Sequence, residues 1–201
     1  LEVTAFDPDT VSEANLGRQL FTEEDIGQNK ALTLIHRLNI AFGLDWWAVP
    51  LEYRPYQRTP DLLISCVDSK QARAGIYDRI RAGKADYWMD LGNGADYGQV
   101  VLGQVGPAKK RLPNVAELYP EMLQGYENDA PSCSLAEALT HQELFVNRTL
   151  TAFALHLVWT MFRRGKIRVA GCFLNLQEMT TVPIPLKGAI RSESPKRRRA
   201  A

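Results

Sequence analysis

Charged and amide side chains are concentrated in residues 7–30, whose sequence is DPDTVSEANLGRQLFTEEDIGQNK. Asp7 and Asp9 follow the short apolar start of the chain, which is predicted to be a strand. A carboxylate at a strand end in an α/β sheet can accept hydrogen bonds from ribose hydroxyls. Arg18 can bind phosphate through its planar guanidinium, and Lys30 can do so as a point charge. The segment therefore predicts a nucleotide site, although a polar surface loop before an ordinary helix start is the alternative interpretation.

A second carboxylate, Asp68, follows the apolar run LLISCV at 62–67, which is predicted to be a buried parallel strand. Ligands of open α/β sheets bind at the carboxyl ends of strands. Asp68 could hold Mg²⁺ there, because this ion prefers oxygen ligands and bridges phosphates. It could instead only cap the helix predicted at 71–81. Arg73 either positions Asp68 or lies on a helix face, and the sequence leaves both open.

The three cysteines are far apart in the sequence, which argues against a disulfide framework and is typical of a reducing cytoplasm. Cys133 lies in the sequence APSCS before a predicted helix, where a helix dipole would lower the pKa of its thiol. An inert loop thiol is the alternative. Cys66 and Cys172 lie within predicted strands and are expected in the core. Because no two cysteines are close in sequence, a four-thiolate zinc site within the chain is excluded, and no structural zinc is expected.

Alternating strands and helices are predicted to position these side chains. Strands are predicted at 1–6, 46–53, 62–67, 85–90, 98–105, 167–176 and 180–186. Helices are predicted at 29–44, where Leu32, Ile35, Leu38 and Phe42 have the spacing of one apolar helix face, and at 71–81 and 135–163, the last with a possible break near His141. A polar stretch at 107–131 with four prolines is predicted to be a long loop over the sheet. Helices between the early strands and hairpins in the second half predict a mixed sheet flanked by helices.

The composition is that of a single globular domain, with 201 residues of which 45% are apolar and 23% charged. The net charge of +1 gives no general attraction to nucleic acid, so no specific nucleic-acid partner is expected. The longest apolar stretch, at 150–162, is too short to cross a bilayer core of about 30 Å, so no membrane partner is expected. Residues 191–201 are predicted to be a basic disordered tail, which leaves 1–190 as the domain.

The motifs at 7–31 and 62–73 resemble those of a known superfamily. The patterns D-x-D-x-V-x-x-x-N-L-x-R-Q, I-G-x-x-K and S-C-V-D-S-K-Q-A-R are similar to the signature of the ThiF/MoeB/ubiquitin-activating proteins. The details are most similar to the ThiF-family protein of PRTRC gene systems. The resemblance implies a Rossmann-like mixed β-sheet flanked by helices, of the ThiF-type NAD/FAD-binding kind. It also implies a glycine-rich turn about twenty residues before Asp7. No such turn precedes Leu1, so the chain is expected to lack the first βα unit.

The resemblance further implies an activity, namely ATP-dependent adenylation of the C-terminal carboxylate of a small ubiquitin-like or sulfur-carrier protein. The enzyme would use ATP and Mg²⁺ and would act in the cytoplasm as a homodimer. The residues implied to bind ATP are Asp7, Asp9, Asn15, Arg18, Gln19, Lys30 and Asp68. Those implied to take part in catalysis are Arg18, Lys30, Asp68 and Cys133, with Asp68 as the Mg²⁺ ligand. In relatives, a cysteine placed like Cys133 can accept the activated carboxylate or sulfur.

Two other functions stay open on the sequence alone. One is a catalytically degenerate nucleotide-binding scaffold subunit with the same fold, which the missing glycine-rich turn favours. The other is a nicotinamide or flavin oxidoreductase, which the dinucleotide-binding topology alone would permit, since fold does not fix function.

Overall fold

A computed structural model of the chain describes residues 1–17, 19–54, 60–81, 85–106, 111–124 and 144–186. In these residues, strands β1 to β7 are Thr4–Phe6, Trp47–Val49, Leu62–Ser65, Tyr87–Asn93, Tyr97–Gln104, Val169–Asn175 and Thr180–Pro185. Helices α1 to α4 are Lys30–Phe42, Lys70–Ile80, Val115–Leu118 and Val146–Arg164. The strands form two sheets, a parallel pair of β1 and β2 and a five-stranded sheet in the order β3-β4-β5-β6-β7.

The larger sheet begins with a parallel pair and continues as hairpins. β3 runs parallel to β4, and Ser65 at the end of β3 is paired with Asp90 in the middle of β4. The pairs β4–β5, β5–β6 and β6–β7 are antiparallel. The prediction of a mixed sheet with late hairpins is therefore confirmed. The strands divide between two sheets, however, and β1 and β3 are each the terminal strand of their own sheet.

Helices cover both faces of the five-stranded sheet, because neighbouring strand residues point to opposite sides. On one face, Trp88 packs in a cluster with Ile76 and Ile80 of α2. On the other face, Met89 packs in a cluster with Leu150 and other residues of α4. The β4–β5 hairpin therefore contributes side chains to two hydrophobic cores, one on each face of the sheet. The architecture has three layers, with the sheet between two layers of helices.

The first helix has the predicted position but not the predicted burial. Its N-cap is Asn29, and it ends at Gly43, whose left-handed backbone (φ 63°) stops the helix. Ile35 is buried, whereas Phe42, expected on the same apolar face, is 71% exposed. The strand predicted after it at 46–53 is also shorter, covering only the three residues of β2.

The predicted loop at 107–131 contains a short helix, α3, in its described part. Asn114 caps this helix, and its Nδ2 donates to the backbone oxygen of Gln104 on β5 at 3.1 Å. The backbone N–H of Gln104 donates to the backbone oxygen of Leu112, and the backbone N–H of Leu112 donates to Gln104 Oε1. These hydrogen bonds attach the loop to β5. The predicted helix start at 135, the break near His141 and the tail at 191–201 lie outside the described residues. No helix in the described ranges is both long and apolar enough to cross a membrane.

Candidate nucleotide-binding site

Asn29 helps to tie the loop between β1 and α1 to the strand end through three hydrogen bonds. Asn29 Nδ2 donates to the backbone oxygens of Asp7 and Asp9, at 2.7 and 3.0 Å. Its Oδ1 accepts from the backbone N–H of Leu32, which caps α1. The backbone N–H of Asp9 in turn donates to Asp7 Oδ1 at 2.9 Å. The carboxylate that follows β1 is therefore held in a fixed place relative to the start of the helix.

Lys30, the first residue of α1, places its ammonium at the same strand end. Its Nζ lies 3.0 Å from Asp9 Oδ2, and its backbone N–H donates to the backbone oxygen of Asp9. The lysine side chain is only 17% exposed, whereas that of Asp9 is 63% exposed. The ammonium of Lys30 is therefore positioned by α1 and by its ion pair with Asp9, and the carboxylate of Asp9 is exposed to solvent.

In the described part of the segment between Asp9 and Asn29, the chain forms two short 3₁₀ turns, Glu13–Asn15 and Glu23–Asp25. In one, Asn15 Oδ1 accepts from the backbone N–H and the hydroxyl of Ser12. In the other, Asp25 accepts from the backbone N–H of Thr22. The oxygen of Asn15 is thus engaged within the loop, so its amide nitrogen is the group that could contact a nucleotide.

Arg37 of α1 fastens this segment to the helix. Its Nη2 lies 2.7 and 2.9 Å from the carboxylate oxygens of Asp25, and its Nη1 donates to the backbone oxygen of Leu20. The hydrogen bonds from Arg37, followed by that from the Thr22 backbone, lower the pKa of Asp25. Gln19, in the same segment, is half-buried, and its backbone N–H donates to the backbone oxygen of Asn15.

Asp68 is exposed between β3 and α2 and does not cap the helix. The N-cap is Ser69, whose hydroxyl accepts from the backbone N–H of Ala72 at 3.1 Å. The alternative in which Asp68 serves only as a helix cap is therefore wrong. Its carboxylate is available at the carboxyl end of β3, where ligands of α/β sheets bind.

The pKa of Asp7 is influenced by charged residues from both strand ends. Loss of hydration raises the pKa of Asp7, and the negative charges of Asp9 and Asp68 raise it further. The backbone N–H of Asp9 and the charge of Lys30 act in the opposite direction. The structure thus brings four of the predicted site residues, from β1, α1 and the end of β3, into one electrostatic environment. Two others, Arg18 and Cys133, lie outside the described residues.

The prediction that both strand cysteines are in the core is correct for Cys172 and wrong for Cys66. Cys66 follows the last residue of β3, the terminal strand of its sheet, and is exposed. Although the residue reaches the surface, limited hydration of the thiol and the nearby charge of Asp90 raise its pKa to about 11. Cys66 is therefore protonated at neutral pH and is a poor nucleophile.

A magnesium ion bound with a nucleotide would fit the acids at this site. Within the described ranges, no three His, Cys, Asp or Glu side chains are grouped to hold a metal ion by themselves. Mg²⁺ usually takes only one or two carboxylates and completes its shell with phosphates and water. Asp68, exposed and within electrostatic range of Asp7, matches that donor set.

Sequence reasoning missed a buried polar group next to the site. Asp90 lies within an apolar strand and is fully buried. Burial raises its pKa, while the charge of Arg73 and the hydroxyl of Ser65 act to lower it. A charged residue at the end of the apolar run YWM was the available signal, because buried acids require a partner. The pairing of Asp90 with Arg73, 17 positions away in sequence, gave no signal.

A mixed five-stranded sheet covered by helices on both faces, with acids following β1 and β3, is the arrangement of a Rossmann-like α/β protein. The chain belongs to the ThiF family, whose model matches residues 2–180. The predicted superfamily and ThiF-type fold are therefore confirmed. The closer placement with the PRTRC proteins stays a prediction.

Solved structures of E. coli MccB share the fold. MccB alone aligns with a TM-score of 0.62 at 14% identity, covering 92% of this chain and 55% of MccB. MccB with MccA gives 0.60 at 14% identity over 97% and 57%, and MccB with ATP gives 0.59 at 13% over 92% and 56%. The chain thus spans little more than half the length of MccB. No curated protein matches the chain in sequence.

Proposed function

We propose that the protein binds Mg-ATP and adenylates the C-terminal carboxylate of a small ubiquitin-like or sulfur-carrier protein. The observation that carries this proposal is the grouping of Asp7, Asp9 and Lys30 at one strand end, where Lys30 Nζ lies 3.0 Å from Asp9 Oδ2 and the Asp9 backbone N–H donates to Asp7 Oδ1. The charge of Asp68 is near enough to raise the pKa of Asp7. These residues come from the ends of two different strands and the start of a helix. Membership of the ThiF family and the fold shared with MccB, which has been solved with ATP, support a nucleotide at this place.

Each residue has a role that suits its chemistry. Asp7 would accept hydrogen bonds from ribose hydroxyls, with Asp9 beside it. Lys30 would contact phosphate oxygens, exchanging its present partner, an exposed carboxylate, for a stronger charge. Asn15, through its amide nitrogen, and Gln19 would add neutral donors. Arg18 is proposed as a second phosphate cation.

The reaction brings two anions together, and the site must offset their repulsion. An oxygen of the partner's carboxylate forms a bond to the α-phosphorus of ATP, and the bond from that phosphorus to pyrophosphate breaks. Lys30 and Arg18 would stabilise the charge that develops on the phosphate oxygens. Asp68 would hold Mg²⁺, whose contribution when bound is to neutralise phosphate charge. Cys133 would act afterwards: its thiolate would take the activated acyl group with release of AMP, or would take sulfane sulfur from a persulfide donor whose thiolate leaves.

The biological setting of this activity remains a prediction. A homodimer and a cytoplasmic location follow from the family resemblance only. The partner is proposed by its chemistry, a flexible C-terminus ending in a glycine carboxylate. MccB has been solved with MccA, which supports a small partner for the shared fold.

Two measurements on the wild-type protein test the proposal. Mg-ATP should raise the melting temperature and NADH should not. Exchange of labelled pyrophosphate into ATP should appear only when a ubiquitin-like protein with a free C-terminal glycine is added. A melting shift without exchange would favour the degenerate scaffold, and a shift with NADH alone would favour an oxidoreductase.

Variants locate the activity. Asp68→Ala, Lys30→Ala and Arg18→Ala should each abolish exchange while leaving the folded state intact. Cys133→Ala should preserve exchange and impair only later transfer. Asp61→Asn, an exposed acid before β3 at the opposite end of the strand from Asp68, is the matched control and should behave as wild type.

A further inference from the structure

A buried ion pair lies directly behind the exposed acid of the site. Arg73 of α2 is 5% exposed and Asp90 of β4 is fully buried. Arg73 Nε lies 2.9 and 3.0 Å from the two oxygens of that carboxylate. Buried ion pairs are weak evidence for stability, because removing two charges from water offsets much of their attraction. The pair therefore calls for an explanation other than stability.

Asp90 also fixes the end of β3. Its Oδ1 accepts from the hydroxyl of Ser65 at 2.7 Å, and that hydroxyl accepts from the indole N–H of Trp88 at 2.7 Å. Ser65 is the last residue of β3 and is paired in register with Asp90. The last residue of the strand is thus fixed by side chains as well as by the sheet.

Arg73 reaches one step further, into the loop itself. Its Nη2 donates to the backbone oxygen of Val67 at 2.9 Å, one residue before Asp68. On the other side of Asp68, Ser69 is fixed as the N-cap of α2. The backbone on both sides of Asp68 is therefore held, while its own carboxylate stays exposed.

The space for the guanidinium depends on a glycine. A Cβ at Gly92 would lie 3.0 Å from Arg73 Nη2 and 2.2 Å from Gln99 Nε2. Only an arginine can satisfy both partners here, because its planar fork presents Nε to one acceptor and Nη2 to another. A lysine would carry the same charge on a single nitrogen.

We infer that Arg73, held by Asp90, is a positioning residue that sets where Asp68 stands at the nucleotide site. This inference rests on the proposed function, since it assigns a support to the residue proposed to hold Mg²⁺. It resolves the question that the sequence left open for Arg73. Arg73 lies on the buried face of α2, and that face packs against the carboxyl end of β3.

The test is Arg73→Lys, which keeps a positive charge beside Asp90 and loses the second donor to Val67. The matched control is Arg79→Lys on the same helix, whose ion pair with Glu52 is partly exposed. Binding of Mn²⁺ in the presence of a non-hydrolysable ATP analogue is followed by electron paramagnetic resonance. Arg73→Lys should weaken metal binding about tenfold, which corresponds to 1.4 kcal/mol, and should reduce kcat in exchange. Binding of the analogue without metal should be unchanged.

Hydrogen exchange of the peptide spanning 66–72 supplies a readout that needs no nucleotide. It should be faster in Arg73→Lys than in wild type and unchanged in the control, while exchange in β5 stays the same in all three. Wild-type metal affinity in Arg73→Lys would overturn the inference. So would uniformly faster exchange throughout the protein, since that would show a purely structural role. If wild type itself binds no Mg-ATP, the proposed function fails, and local exchange at 66–72 still reports whether Arg73 holds the loop.

Discussion

Removal of the buried carboxylate at position 90 should be one of the most damaging single changes in this protein. Asp90→Leu leaves the guanidinium of Arg73 buried without a counter-charge and the hydroxyl of Ser65 without its acceptor. Breaking a buried pair from one side costs about 3–5 kcal/mol of unfolding free energy. In a domain of this size, that loss should lower the melting temperature by about 6–20 °C.

The double variant Arg73→Met/Asp90→Leu distinguishes the cost of an orphaned charge from the value of the pair. Apolar residues of similar volume often replace a buried pair with little loss, so the double variant should recover at least about 2 kcal/mol relative to Asp90→Leu. Urea unfolding followed by circular dichroism gives all four free energies of the cycle. A loss below about 1 kcal/mol in Asp90→Leu would refute the reasoning, because it would mean that Arg73 is hydrated once its partner is gone.

Three further predictions follow from the site and its supporting loop. Lys30→Met should weaken Mg-ATP binding about 10- to 100-fold by calorimetry, the value of a charged hydrogen bond to phosphate. It should change stability by less than about 1 kcal/mol, because its present partner is a largely exposed aspartate. Because Arg37 lowers the folded pKa of Asp25, this acid stabilises the protein above its unfolded pKa of about 3.9, and the benefit is lost as pH falls through the folded value. Asp25→Asn should therefore lower the urea midpoint at pH 7 and match wild type near pH 2. Chelation of metal should weaken ATP binding at least about tenfold, measured by calorimetry with and without EDTA.

Local patterns in the sequence were sufficient to predict most helices and strands. The apolar spacing of α1 follows directly from the helical period, and the strands predicted at 85–90 and 98–105 overlap β4 and β5. Burial could not be predicted equally well, as Phe42 and Cys66 show. Both are apolar residues in regular patterns, and both are exposed. A pattern specifies which residues share a face, but whether that face is covered depends on elements far away in sequence.

The candidate site divides in the same way. Asp7 and Asp68 could be predicted, because a carboxylate after an apolar strand is a local signal. The contacts that hold them could not, since Asn29 reaches back 22 positions to Asp7, and Ser65 reaches 25 positions to Asp90. Those bonds depend on the parallel pairing of strands that are separated by a helix. Sequence alone therefore proposed the acids of the candidate site, and it raised Arg73 as one possible support for Asp68, but it gave no sign of Asn29, Ser65 or Asp90 as their supports.

The balance of charge at the site explains why a nucleotide should require a metal there. Among the site residues that the structure describes, Asp7, Asp9 and Asp68 supply three carboxylates, and Lys30 supplies the only ammonium. Two of the acids already raise the pKa of the third, so their mutual repulsion is present before any ligand binds. A triphosphate would add several negative charges to the same place. The lysine can offset one of these at most, and Arg18 one more. Acids at a phosphate site are favourable only when a divalent cation stands between them and the phosphates. Under the proposed function, the exposed carboxylate of Asp68 would supply one ligand of a metal ion, and the phosphates of the nucleotide would supply others.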